Sequence, residues 1–204
     1  MHPPLQGIYA ITDTRYYSYA SSYSYLKSAF VGGANILQLR DKTLSDEALL
    51  PYAKQIQKIC KRHKVLFVIN DRASLAIELN ADGLHLGSDD GNLSLIRKRF
   101  KNIIGISCYG DLRQAKRAKR AGADYVAFGS CFASSTKPQA RQIKHRIFRQ
   151  AKIATRLPIC AIGGIESKNL HHLPLASIDM CAIISDIWKR KNITRHTKKL
   201  DSFL

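Results

Sequence analysis

Long apolar runs, paired cysteines and acidic residues are all scarce in this sequence, and each shortage excludes something. The longest apolar stretches are about six residues, far below the roughly 20 that span a bilayer. The first residues, Met1-His2-Pro3-Pro4-Leu5-Gln6, have no charged n-region and no apolar h-region, so no signal peptide is expected and the cytoplasm is the default location. The five cysteines, Cys60, Cys108, Cys131, Cys160 and Cys181, are odd in number and show no CxxC spacing. That argues against a disulfide framework or a zinc site. Most fall in expected strands or helices, where a thiol acts as a small hydrophobe, and Cys108 and Cys131, near strand ends, are read as inert thiols.

Acidic residues number 15 against 33 Lys and Arg, a net charge of +18. One basic patch, Arg113, Lys116, Arg117, Lys119 and Arg120, is interrupted by Ala115, Ala118 and Ala121 at helical spacing. It reads as the wet face of an amphipathic helix. A second, Lys189, Arg190, Lys191, Arg195, Lys198 and Lys199, lies in an expected frayed tail from about Asn192. No RNA- or DNA-binding motif accompanies either, so small molecules are the expected partners, with no nucleic acid and no membrane; a homo-oligomer is left open. The charge still draws anionic substrates inward.

A glycine-rich phosphate fingerprint after the first strand is also lacking: Thr12-Asp13-Thr14-Arg15 stands there. This disfavours Rossmann and flavodoxin folds, which want such a loop and five or six strands. Eight apolar runs are present instead, at 7–12, 35–40, 65–70, 83–87, 103–108, 125–130, 158–163 and 180–185. Helical segments are expected near 20–32, 45–63, 73–80, 93–100, 111–121, 142–156 and 167–173, with a last helix from about Asp186 that includes Trp188. Eight alternating units predict a single-domain α/β protein, a (β/α)₈ barrel over about 7–190 followed by the basic tail from about 191. Ala81-Asp82-Gly83 and Ala121-Gly122-Ala123-Asp124 faintly echo each other before two strands. The segment from Tyr16 to Tyr25, with five tyrosines among Ser and Ala, reads as a lid or an irregular first helix.

The runs end in polar or glycine residues, and parallel strands deliver such ends to one mouth. In Gln38-Leu39-Arg40-Asp41-Lys42 alternate side chains share a face, which groups Gln38, Arg40 and Lys42. A guanidinium fork and an ammonium suit a diphosphate. Asn70-Asp71-Arg72 and Ser88-Asp89-Asp90 end neighbouring runs. Asp71 and Asp90 would then lie close enough to share Mg²⁺ with phosphate oxygens, although Asp71 serves equally as the N-cap of a helix over 73–80. His85 alternates with Gly87 and points into the barrel as a hydrogen-bonded core histidine. Ser134-Ser135-Thr136-Lys137 offers hydroxyls and a cation to an anion. Gly163-Gly164 and Ile184-Ser185, after runs seven and eight, fit a phosphate.

Taken together the motifs resemble the thiamine-phosphate synthase family. They are Tyr9-Ala10-Ile11-Thr12-Asp13, Gln38-Leu39-Arg40-Asp41-Lys42, Ile69-Asn70-Asp71-Arg72, Ala81-Asp82-Gly83-Leu84-His85-Leu86-Gly87, Gly105-Ile106-Ser107, Gly122-Ala123-Asp124-Tyr125-Val126, Ser134-Ser135-Thr136-Lys137-Pro138, Ala161-Ile162-Gly163-Gly164-Ile165 and Ile184-Ser185, in order over about 7–188. The resemblance implies a Mg²⁺-assisted transferase that joins hydroxymethylpyrimidine diphosphate to hydroxyethylthiazole phosphate through a pyrimidine cation. It implies that Gln38, Leu39, Arg40, Asp41, Lys42, Asn70, Ser107 and Lys137 meet the pyrimidine diphosphate, with Arg40, Lys42, Ser107 and Lys137 acting in catalysis. By the same resemblance Asp71 and Asp90 ligate Mg²⁺, and Ser134, Ser135, Thr136, Gly164, Ile184 and Ser185 meet the thiazole phosphate.

Three departures stand out. Ser130 and Ala133 replace prolines, which implies a looser loop; Tyr109 replaces a histidine; Ser88-Asp89 replaces Gln-Glu. A thiazole tautomerase of the same superfamily and a non-catalytic nucleic-acid-binding barrel are the rival readings. Asp90, Thr136 and Lys137 favour the synthase.

Overall fold

The computed structural model describes residues 4–87, 91–133, 139 and 141–204. Eight parallel strands close into a barrel in sequence order: β1 (Gly7–Ile11), β2 (Ala34–Leu39), β3 (Leu66–Asn70), β4 (Gly83–Leu86), β5 (Ile103–Tyr109), β6 (Tyr125–Phe128), β7 (Ile159–Ile162) and β8 (Met180–Ile183). β1 pairs with both β2 and β8, which closes the ring. Among the described residues eight helices surround it: α1 (Ser22–Val31), α2 (Asp46–His63), α3 (Ala73–Glu78), α4 (Leu93–Arg99), α5 (Leu112–Arg120), α6 (Arg146–Thr155), α7 (Ser185–Trp188) and α8 (Ile193–Asp201). Among the described residues no helix is long and apolar enough to cross a membrane.

Period-two alternation sorts every strand into two layers. Tyr9, Ile11, Ile36, Leu66, Val68, Tyr125, Ala127, Cys160, Met180 and Ala182 fill the barrel. Their neighbours, such as Ile8, Leu37, Phe67, Leu84 and Phe128, pack outward against the helices. Gly105 is needed inside because a Cβ there would lie 1.9 Å from the Tyr125 ring carbon that bears the hydroxyl.

The echo in the sequence has a structural cause. Asp82 accepts a hydrogen bond from the Phe67 amide at 2.9 Å, and Asp124 from the Ile104 amide at 2.7 Å. Asp179, before β8, does the same for the Ile159 amide at 2.7 Å. Each aspartate precedes an even strand and satisfies an amide at the start of the preceding odd one, on the barrel face opposite the mouth. Asp124 also pairs with Arg97, and Asp179 with Lys152 at 2.5 Å.

Two expected elements differ. The expected helix over 167–173 is replaced by two 3₁₀ turns, Leu170–His172 and Leu175–Ser177. The Asn169 side chain turns back, accepting from the Glu166 amide at 2.8 Å and donating to the Gly164 carbonyl at 2.9 Å, and Pro174 blocks further helix. The expected frayed tail is largely helix α8. Asn192 caps it by accepting from the Arg195 amide at 2.9 Å, and Ile193, Thr197 and Leu200, spaced four and three apart, are buried. Thr194 donates to the Ser28 carbonyl of α1 at 3.0 Å. The basic residues occupy the wet face and last turn, where cations suit the helix dipole. Boundaries also shift: α6 begins at Arg146 rather than 142, and a 3₁₀ turn, Tyr19–Ser21, leads into α1.

Leu200 is fully buried, so Leu200→Ala should destabilise the protein by about 2–5 kcal/mol. Urea unfolding checks this; an unchanged midpoint would mean that α8 carries no packing.

Candidate active site

At the carboxyl ends of the strands the barrel opens into a cavity of about 200 Å³. Its walls include Tyr9, Gln38, Arg40, Asn70, His85, Ser107, Ser130 and Ile184. Lower down it is bounded by Ala127, Cys160, Ile162 and Ala182, so a polar rim surmounts an apolar base.

Gln38 on β2 and Arg40 just beyond it share the inward face, as the alternation predicts. Thr12, at the end of β1, fixes the Arg40 backbone: its hydroxyl accepts from the Arg40 amide at 2.8 Å and donates to the Arg40 carbonyl at 3.2 Å. Lys42 forms an ion pair with Asp71. Asn70 donates to the other Asp71 oxygen at 2.7 Å. Asp71 adopts φ +63°, and its amide donates to the His85 carbonyl at 2.8 Å, tying β3 to β4. Asp71 is not the N-cap of α3, because Arg72 occupies that position without a side-chain cap.

Leu39 and Asp41 belong to the same segment, but their side chains face elsewhere. Leu39 packs into the layer between strands and helices. The buried Asp41 carboxylate accepts from the amides of Thr43 and Leu44 at 2.7 and 2.8 Å, the Thr43 hydroxyl at 2.8 Å and the Tyr19 hydroxyl at 2.7 Å. Arg72 completes the clamp on this loop, donating to the Asp41 and Leu44 carbonyls at 2.8 and 2.6 Å and pairing with Asp46 at 2.5 Å.

The tyrosine segment braces the mouth from outside. Tyr19 stacks on Tyr52 at 4.4 Å. Tyr17 lies between Tyr25 at 5.1 Å and Trp188 at 5.3 Å, and the Trp188 indole donates to the Ile11 carbonyl at 2.6 Å. Tyr17 is only 5% exposed, which places it in the core rather than on a lid.

Ser107 stands on β5 with its hydroxyl 2.9 Å from His85 Nε2, and His85 Nδ1 lies 2.9 Å from the Tyr125 hydroxyl. His85 is buried in the barrel and hydrogen-bonded, as expected. Tyr109, one of the departures from the family pattern, is exposed at φ +51° and also borders the cavity. Cys108 and Cys131 are buried, and burial pushes their thiols up to about 12, so they are inert at neutral pH.

Opposite lie Gly164, Ile184 and Ser185. Gly164 has φ +65°, and a Cβ there would meet the Ala133 carbonyl oxygen at 2.4 Å, so the β6 loop presses directly on this turn. Its described residues Ser130, Cys131 and Phe132 are held by hydrogen bonds. The Cys131 amide donates to the Ile162 carbonyl at 3.0 Å and the Phe132 amide to the Gly163 carbonyl at 2.9 Å, while the Ser130 hydroxyl donates to the Phe132 carbonyl at 2.7 Å. Behind Ser185, the fully buried Asp186 gathers the Ser167 amide at 2.9 Å, His196 at 2.8 Å and Arg190. It therefore joins the β7 loop to α7 and α8. Ser134, Ser135, Thr136, Lys137 and Asp90 lie outside the described residues, as do Ser88 and Asp89.

A family model described as thiamine monophosphate synthase matches residues 8–187. The chain belongs to the thiamine monophosphate synthase family. It is 46% identical over 186 residues to the thiamine-phosphate synthase of Wolinella succinogenes, covering 90% of this chain and 86% of that one. It is 40% identical over 195 residues to that of Nitrosococcus oceani, covering 95% and 90%. Among solved structures it is similar to the thiamine phosphate pyrophosphorylase of Pyrococcus furiosus, with TM-score 0.87, 29% identity and coverage of 97% and 95%. A 3-hexulose-6-phosphate synthase at 13% identity and TM-score 0.70 shares the barrel fold. The family assignment makes this chain a synthase and a transferase, and neither the tautomerase nor the nucleic-acid reading is favoured.

The sequence pattern missed Thr12, Tyr19 and Asp186, which touch the site only through other residues. Thr12 and Asp186 sit one residue past strand ends or beside a motif, and that position was the available signal. For Asp41, burial alone would raise the carboxyl; hydrogen bonds from the Leu44 amide, Tyr19 and Thr43 outweigh it and hold the carboxyl at about 2. Its stabilising contribution is therefore complete above about pH 4, the unfolded carboxyl's range, and is lost as pH falls through about 2. Asp41→Asn should be less stable than the parent at pH 7 and show a shallower loss of stability between pH 4 and 2. Acid titration of the unfolding free energy measures both; parallel curves would remove Asp41 as the cause.

Proposed function

We propose that this synthase joins a hydroxymethylpyrimidine diphosphate to a hydroxyethylthiazole phosphate, releasing pyrophosphate, with Mg²⁺ as cofactor. The observation that carries the reading is the convergence of Gln38, Arg40, Asn70 and Ser107 on one cavity, with the ion-paired Lys42 and Asp71 beside Asn70. Cations and amide or hydroxyl groups meet there above an apolar base. Such a pocket stabilises a departing diphosphate and shields a carbocation from water.

In this reading Gln38, Asn70 and Ser107 orient the pyrimidine diphosphate, while Arg40, Lys42 and Lys137 hold the charge that develops as the C–O bond breaks. Leu39 and Asp41 contribute through their main chain. Gly164, Ile184, Ser185 and the hydroxyls of Ser134, Ser135 and Thr136 take the thiazole phosphate, leaving its ring nitrogen to attack the pyrimidine methylene carbon. No strong general base is required.

Asp71 suits Mg²⁺: it is a hard oxygen donor, oriented by Asn70 and already carrying one cation, the Lys42 ammonium. Asp90 would supply the second carboxylate, since Mg²⁺ keeps several waters and few protein ligands. When bound, the ion neutralises charge on the diphosphate. The same reading takes the cytoplasm as the enzyme's location and small molecules as its partners, without nucleic acid or membrane.

The purified chain, given both substrates, should form thiamine phosphate with Mg²⁺ and none with EDTA. Folded protein that yields no product would overturn the reading. Lys42→Ala should lower kcat on the order of 100-fold, the cost of one transition-state charge contact; a rise in KM alone would make Lys42 a ground-state binder. Asp71→Ala should require much more Mg²⁺ for half-maximal rate, and an unchanged Mg²⁺ titration would remove it from the metal site.

A further inference from the structure

A continuous chain of hydrogen bonds crosses the barrel. The Gln38 amide nitrogen lies 2.8 Å from the Tyr9 hydroxyl, which lies 2.9 Å from the Tyr125 hydroxyl. Tyr125 continues to His85 Nδ1 at 2.9 Å, and His85 Nε2 to the Ser107 hydroxyl at 2.9 Å. Both ends, Gln38 and Ser107, line the cavity. The middle is buried: Tyr9 is 1% and Tyr125 0% exposed. Burial pushes both phenols far above the neutral range, so each keeps its one hydrogen.

We propose that this chain runs in one sense, from Gln38 to Ser107, and that Tyr9, Tyr125 and His85 are positioning residues that make Ser107 a hydrogen-bond donor toward the substrate. An amide nitrogen can only donate, so Tyr9 accepts from Gln38. Its own hydrogen then goes to Tyr125, because any other direction strands a buried O–H without an acceptor. By the same argument Tyr125 donates to His85 Nδ1. The imidazole carries its hydrogen on Nε2 and gives it to the Ser107 oxygen. Ser107 has one hydrogen, and with His85 already donating to its oxygen that hydrogen is turned to the mouth. At the opposite end Gln38 keeps its carbonyl oxygen as an acceptor facing the cavity. The two ends thus present complementary polarity to one bound molecule: an acceptor for an N–H group and a donor for an anionic oxygen. The inference deepens the synthase reading of this pocket and rests on it for the nature of the substrate, but the hydrogen order is a property of the protein alone.

Reversal is the specific alternative. With the Gln38 amide turned over, every hydrogen in the chain would flip, His85 would carry its hydrogen on Nδ1, and Ser107 would donate inward. Long-range ¹H–¹⁵N spectra of the full-length protein distinguish the two, with the His85 signals identified by their loss in His85→Gln. The expected result is a pyrrole-type Nε2 and a pyridine-type Nδ1; a protonated Nδ1 overturns the proposal whether or not the protein turns over substrate. A kinetic arm tests the positioning role. Ser107→Ala should lower kcat on the order of 100-fold, as loss of one donor does. Tyr125→Phe, which keeps the ring and deletes the hydroxyl, should lower kcat roughly fivefold to tenfold, the worth of one hydrogen bond, with KM little changed. That second loss should vanish when Ser107→Ala is already present. A Tyr125→Phe penalty of the same size in both backgrounds would overturn the positioning role. A wild-type protein that shows the expected tautomer but makes no product would sink the substrate assignment and leave the hydrogen order standing.

Discussion

Two phenol oxygens 2.9 Å apart at the centre of the barrel divide its interior. Below them Leu66, Val68 and Met180 close the floor with hydrocarbon; above them Gln38, His85 and Ser107 face the cavity. A polar pair can lie so deep only because its hydroxyls find partners on both sides. The pair depends in turn on Gly105, whose bare backbone leaves room for the Tyr125 ring. Remove that room and the ring must move, and with it the floor on which the polar rim stands.

Closure of the sheet does the rest of the placing. In a barrel without edges each residue faces either the interior or the helical layer, and a strand's parity decides which. That is why Gln38 and Arg40 reach the cavity while Leu39 and Asp41, which alternate with them, do not. The side chains that do not reach it still serve it: Asp41 ties down the β2 loop, Thr12 holds the Arg40 backbone, and Asn169 props Gly164 from behind. Among the described residues the mouth is thus held by hydrogen bonds to main-chain groups and carboxylates, together with the aromatic stacking around Tyr17 and Tyr19.

The parts that could be read from the sequence were those whose cause is local. Strands announce themselves as short Val- and Ile-rich runs, and the rim residues follow them at fixed spacing, so the barrel, Gln38, Arg40, Asn70 and Ser107 were legible. Helix α8 was not, because only Ile193, Thr197 and Leu200 mark its buried stripe, one of them a threonine, among four Lys, Arg and His residues and an asparagine cap over 192–200. The 167–173 segment has helical composition, but the Asn169 side chain competes for its backbone. The Tyr9–Tyr125 contact joins residues 116 apart, and in one-dimensional reading each is merely an aromatic in a strand. In the sequence Asp82 and Asp124 are only an echo, since their shared task, bonding the amide at the start of the preceding odd strand, exists only once both strands are paired.

The closing contacts set a schedule for the newborn chain. Trp188 reaches back 177 residues to Ile11, β8 zips onto β1, and α8 seats on α1 through Thr194 and Ser28. Until the ribosome has made β8, the first strand has only one of its two neighbours and keeps a row of unpaired amides and carbonyls open to other molecules. Contacts between distant parts of a chain form slowly. The edge of β1 therefore stays open until β8 has been made and has paired with it.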